Sequence, residues 1–189
     1  MLKMIKAMMV VTILAISSVS QASLINVAYV EITHTTNGPL QVQEVVLWGA
    51  ISGTDLALSS AGAVATATDF RSTSCGTSGD ASCVLDSAIG SGGMSSIYHG
   101  ASATSILTVT LNPIDEISWF EIFGRNYGGN KVDIYDVSFF NDNGAVLQYF
   151  TNLSAVQGST TGRVYVSEPS AIAFLGLGLL MLALRRFKH

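Results

Sequence analysis

In the stretch Ser105–Leu111, the apolar residues Leu107, Val109 and Leu111 alternate with Thr108 and Thr110. Successive side chains of a strand point to opposite faces, so this order puts aliphatic groups on one side and hydroxyls on the other, a division that a helix does not reproduce. Further strand-forming runs occupy Leu24–Thr33, Gln41–Gly49, Ser118–Arg125, Lys131–Phe140, Ala145–Phe150 and Gly162–Ser167, with no recognisable amphipathic helix between them. Asn143-Gly144 supplies the positive backbone angles of a tight hairpin between two of these runs. Seven or eight short strands in a segment of this length predict an all-β, antiparallel sandwich whose two sheets cover one another's apolar faces.

The hydrophobic share of 49% overstates that core, because both ends of the chain read as address rather than fold. Lys3 and Lys6 precede an apolar stretch from Ala7 to Ile16, and Ser20-Gln21-Ala22 follows in small-x-small order. This is the pattern of a secretory signal peptide over residues 1–22, cut after Ala22. At the other end, the apolar run Ala171–Leu184 would span about 21 Å as a helix, short of the roughly 30 Å hydrocarbon core, and Arg185, Arg186 and Lys188 close it. Basic residues there hold that end in the cytoplasm, which places residues 23–166 outside the inner membrane.

Between the ends, Ser59–Ser105 is crowded with Gly, Ala, Ser and Thr, which mark loops more than core. Cys75 and Cys83 lie in this region, and in an exported chain such a pair predicts a disulfide. From Ser23 to Val166 four basic residues (Arg71, Arg125, Lys131 and Arg163) stand against twelve acidic ones, a net charge of −8 that argues against nucleic acid as a partner. No G-x-S-x-G, H-E-x-x-H or P-loop is present, so the residues predict no enzyme. Asp115 and Glu116 are adjacent, which in a strand turns them to opposite faces, and they read as an acid-rich turn after Asn112-Pro113.

The tail "SEPSAIAFLGLGLLMLALRRFKH" resembles the PEP-CTERM sorting signal of Gram-negative bacteria over residues 167–189, with Ser167, Glu168 and Pro169 at its Pro-Glu-Pro motif and serine in place of the first proline. The resemblance implies a membrane helix at about 171–184, processing by signal peptidase and an exosortase, and export linked to extracellular polysaccharide. Residues 23–166 resemble the discoidin-type (coagulation factor V/VIII type C), galactose-binding-like domain, on Val45–Trp48, Asp55–Leu58, Ala88–Gly90 and Val137–Gly144 in that order. That implies a jelly-roll sandwich whose end loops bind sugars, phospholipid head groups or proteins, and it allows a structural calcium, for which Asp80 and Asp86 lie in a suitable loop.

Fucose-binding lectins of the discoidin-type family carry a His, then an Arg-x-Asp, then a further Arg or Lys. Here His99, Arg125 and Lys131 take those places, with Tyr127 where the family has aspartate and Lys131 one residue early. The resemblance therefore implies a sugar site at these three residues. The alternative is Arg125 paired with a carboxylate, His99 in a loop and Lys131 solvated on a hairpin. Two functions follow, a module that attaches to polysaccharide or a structural surface or matrix protein without sugar affinity.

Overall fold

Among the described residues the chain forms nine strands: β1 (Leu24–His34), β2 (Gln41–Val42), β3 (Glu44–Gly49), β4 (Val64–Ala67), β5 (Tyr98–His99), β6 (Leu107–Phe123), β7 (Val132–Phe140), β8 (Val146–Val156) and β9 (Val164–Tyr165). The computed structural model describes residues 23–35, 38–75, 80–89, 96–125, 132–156 and 160–166. The signal-peptide segment 1–22, the sorting motif Ser167, Glu168 and Pro169, the segment 171–184 and Lys131 lie outside the described residues. All strand pairings are antiparallel, and among the described residues helix is confined to two 3₁₀ turns, Ser59–Ala61 and Ser82–Leu85. The all-β antiparallel class read from the sequence is the class observed.

β6 organises the fold. The sequence suggests two strands here with a turn between them; the structure joins them into a single 17-residue strand. Between the pairs Tyr29–Thr110 and Val27–Asp115, β6 uses five residues against two of β1, so it bulges around Pro113, which has no N–H to give the ladder. Before the bulge β6 lies between β1 and β4, and its later part lies between β3 and β9. The Phe120 ring meets Phe139 at 5.1 Å and Phe150 at 5.0 Å, on β7 and β8, which are not β6's partners in the sheet. The sheet thus folds over itself into two layers, with Phe120 in the seam.

Strand alternation fills that seam. On β7 the buried residues are Asp133, Tyr135, Val137 and Phe139, and on β1 Val30 and Ile32 point the same way. Leu107, Val109 and Leu111 join them from β6, as their alternation with threonine predicts. Burying side chains of this size stabilises the fold by about 1.5–3 kcal/mol each.

The β7–β8 hairpin differs from the sequence expectation in detail. Phe140 pairs with Val146, so five residues make the loop, and Gly144 has φ +76° while Asn143 stays outside the left-handed region. The Asn141 side chain explains the wider turn, because its Oδ1 accepts from the backbone N–H of Asn143 at 3.0 Å and of Ala145 at 2.8 Å. The sequence reading also omits β4, whose Val-Ala-Thr-Ala lies inside the small-residue region.

Candidate functional site

The inward faces of β1 and β7 stay apolar until their ends at one side of the domain, and there they turn polar. Continuing Val30 and Ile32 by one more strand period reaches His34, and continuing Phe139, Val137 and Tyr135 reaches Asp133. These residues, with Gln41, Arg71, His99, Arg125 and the Gly38-Pro39 turn, line an open cleft of about 420 Å³. The structure therefore brings two of the three residues implied by the lectin resemblance, His99 and Arg125, to one cleft. Lys131 lies outside the described residues, next in sequence to Val132 on the cleft wall.

His99 is placed by three segments. Its strand β5 pairs with β2, putting Gln41 opposite it, and the Gln41 amide contacts His99 Nε2 at 2.7 Å. The His99 N–H donates to Ser74 Oγ at 3.0 Å, and the Ser74 hydroxyl donates in turn to the Asp80 carbonyl at 2.8 Å. Next to Ser74, Cys75 is joined to Cys83 in the expected disulfide, and its N–H donates to Ile97 O at 2.9 Å. The disulfide loop thus braces the backbone that carries the imidazole.

Burial, then the charges of Arg71 and Arg125, hold the His99 pKa below the ordinary histidine range. At pH 7 the ring is neutral, so with Nε2 accepting from the Gln41 amide the ring proton sits on Nδ1. Nδ1 is buried and has no hydrogen-bond partner among the described residues. His99 is buried in β5, with 5% of its surface exposed.

Asp133 fixes the opposite wall. Its Oδ2 accepts from the Arg125 backbone N–H at 3.1 Å, and its Oδ1 lies 3.8 Å from His34 Nε2. Gly124 lies close beside it, and a Cβ there would crowd Asp133 Oδ2 at 3.2 Å and the Ala155 Cβ at 3.1 Å. Tyr135 donates to the Gln41 carbonyl at 2.6 Å and ties β2 to β7. Burial, then Asp133, pushes its phenol well above the usual range, so it remains a donor. Asp133 binds the Arg125 backbone and not its guanidinium. Among the described residues neither the Arg125 nor the Arg71 guanidinium forms an ion pair.

Sequence reasoning passes over Gln41, Arg71 and Asp133, and it treats His34 only as an available base. The strand period would have found His34 and Asp133. Gln41 and Arg71 depend on the pairing of β2 with β5 and on a loop path, which no local pattern encodes.

Asp80 and Asp86, the acids that the discoidin resemblance offers to a calcium, each take part in a local turn. Asp80 Oδ1 accepts from the Ser82 N–H at 3.1 Å and hydroxyl at 2.9 Å, and Asp86 Oδ1 accepts from the Ala88 N–H at 2.8 Å, so each closes its own turn. Among the described residues no group of three or more His, Cys, Asp or Glu is arranged to hold a metal ion. Near Asp86, at the start of β3, Glu44 is fully buried and both carboxyl oxygens lack a partner of hydrogen-bonding geometry. Burial first, then Asp86, raises its pKa to about 8, so it is a neutral acid under the 3₁₀ turn at pH 7.

Comparison with protein-family models, with curated proteins and with solved structures finds no match to the chain.

Proposed function

We propose that this chain is an exported, non-catalytic cell-surface or matrix protein whose cleft binds carbohydrate of an extracellular polysaccharide. The observation that carries the reading is the cleft itself: two guanidinium groups that form no ion pair among the described residues, a neutral imidazole and a side-chain amide converge on one concave surface. Planar donors of this kind match ring oxygens and vicinal hydroxyls. The pair of cations, set in a domain of net charge −8, further favours a sugar that bears a carboxylate. The finer fold reading, a galactose-binding-like jelly roll, is part of the same proposal and rests on the sequence resemblance together with the two-layered antiparallel sheet.

Export is supported by the leader-like residues 1–22, the sorting-signal resemblance of residues 167–189 and the disulfide, which suits an oxidising compartment. Signal peptidase, an exosortase and the inner membrane are the processing partners in this reading. The non-catalytic part of the reading rests on the sequence, in which no G-x-S-x-G, H-E-x-x-H or P-loop is recognised.

Binding of the full chain to a glycan array and to acidic and neutral polysaccharides, with Arg125→Ala and Arg71→Ala in parallel, tests the proposal. Saturable binding weakened by tenfold or more in each variant is expected, about 1.4 kcal/mol per lost charge-assisted contact. Absence of saturable binding overturns the sugar site and leaves a structural surface protein.

A further inference from the structure

The path of β9 sets the direction in which the cleft faces. Val164 pairs with Phe120 and Tyr165 with Trp119, and the Val166 N–H donates to Ser118 O at 3.0 Å. β6 runs from Ser118 towards Arg125 at the cleft, so β9, antiparallel to it, leaves the domain heading away from the cleft. From Val166 to Ala171, where the apolar run begins, there are five peptide steps, which span at most about 18 Å. If that run meets a membrane, as the proposed function holds, the region around Val166 is kept at the bilayer surface.

That region has an interfacial character. Trp48, Trp119 and Tyr165 lie in register across β3, β6 and β9. The two indoles stack with centroids 5.1 Å apart, and the Arg163 guanidinium lies 4.6 Å over Trp119. Trp48, Trp119 and Tyr165 border a surface groove of about 310 Å³. Ile51, in the turn that follows β3, is 80% exposed, and Tyr165 is 56% exposed. Amphipathic rings, an exposed aliphatic tip and a cation able to meet lipid phosphate are the side chains that favour the headgroup layer.

We propose that the Trp48–Trp119–Tyr165 face, with Arg163 and Ile51, rests on the headgroup region of a lipid bilayer, so that the cleft opens away from the membrane. Six residue steps along β6 and the segment after it separate Trp119 from Arg125, a displacement of about 20 Å. This inference rests on the reading of residues 167–189 as a membrane segment. It adds an orientation that presents the cleft to polysaccharide outside the lipid surface.

Trp48 and Trp119 are the two tryptophans of the chain, so intrinsic fluorescence reports on this face alone. The full chain is reconstituted into vesicles of phosphatidylcholine and phosphatidylglycerol, with part of the phosphatidylcholine brominated high on the acyl chain, and floated with the vesicles to score membrane association. The expected result is flotation with quenched tryptophan emission, and quenching reduced to about half or less in Ile51→Asn and Tyr165→Asn while flotation persists. Flotation without quenching overturns the docked face and spares the membrane segment. Failure to float overturns the membrane segment and the docked face with it. Shielding of the indoles from iodide that depends on protein concentration or on added polysaccharide, and not on lipid, assigns the face to a second copy or to sugar and also overturns the proposal.

Discussion

The two ends of the domain are built differently. The cleft end assembles polar side chains from β1, β2, β5, the Arg71 loop, the segment after β6 and β7, segments far apart in the chain. The opposite end is a row of aromatic residues set by pairing between adjacent strands, Trp48 against Trp119 against Tyr165. The first depends on loops held by a disulfide and by single hydrogen bonds, whereas the second depends on sheet register alone. The cleft is therefore easier to disturb than the aromatic face.

The largest perturbation falls on both ends. Phe120→Ala removes the ring that joins the layers and should cost about 3–5 kcal/mol, read as an equal loss of urea stability by probes at either end. A loss confined to one end would break the two-layer account. Opening the Cys75–Cys83 link, in the double Cys→Ala variant, should cost about 2–3 kcal/mol and raise hydrogen exchange in β5 and the Ser74 loop while β9 stays protected. Equal exchange in β5 and β9 would contradict the proposed division.

Tyr135→Phe leaves the Gln41 carbonyl without its phenolic donor and should cost about 1–3 kcal/mol, with weaker sugar binding because Gln41 positions His99. A further expectation is a pH dependence that originates at Glu44. Glu44 has a folded pKa of about 8 against an ordinary value of 4.5, so the folded state holds a proton that the unfolded chain releases. Its contribution to stability is complete below about pH 4.5, falls as pH rises and is gone above about 8. Glu44→Gln should match the parent at pH 4.5 and exceed it at pH 8.5 in thermal melts; a constant difference across that range would show that ionisation of Glu44 is not the cause.

The sequence reveals the two ends unequally. Period-two alternation is local, so it locates β1, β6 and β7, and it puts Leu107, Val109 and Leu111 in the core. It misses the continuity of β6 through Pro113, because Asn112-Pro113 followed closely by Asp115-Glu116 reads as a turn when the bulge that accommodates the proline is invisible. β4 is hidden for a different reason: Ala65 and Ala67 pack against the core from a strand whose small side chains carry little strand signal. His99 and Arg125 reach the page through a family resemblance, and the structure seats both in one cleft. Gln41 and Arg71 join them only through long-range pairing. The cysteine pair is legible from spacing, yet its role in bracing His99 depends on Ser74, whose partners in β5 and at Asp80 no spacing rule predicts.

The most direct test of the carbohydrate cleft uses the molecule's two ends as signal and control. Amide and side-chain ¹⁵N–¹H spectra of the protein are followed during titration with an acidic polysaccharide fragment. The resonances of Gln41, His99 and Arg125 should shift saturably while the indole N–H signals of Trp48 and Trp119 stay in place. Saturable shifts of the indoles with the cleft unmoved, or no saturable shift at either end, would contradict the account.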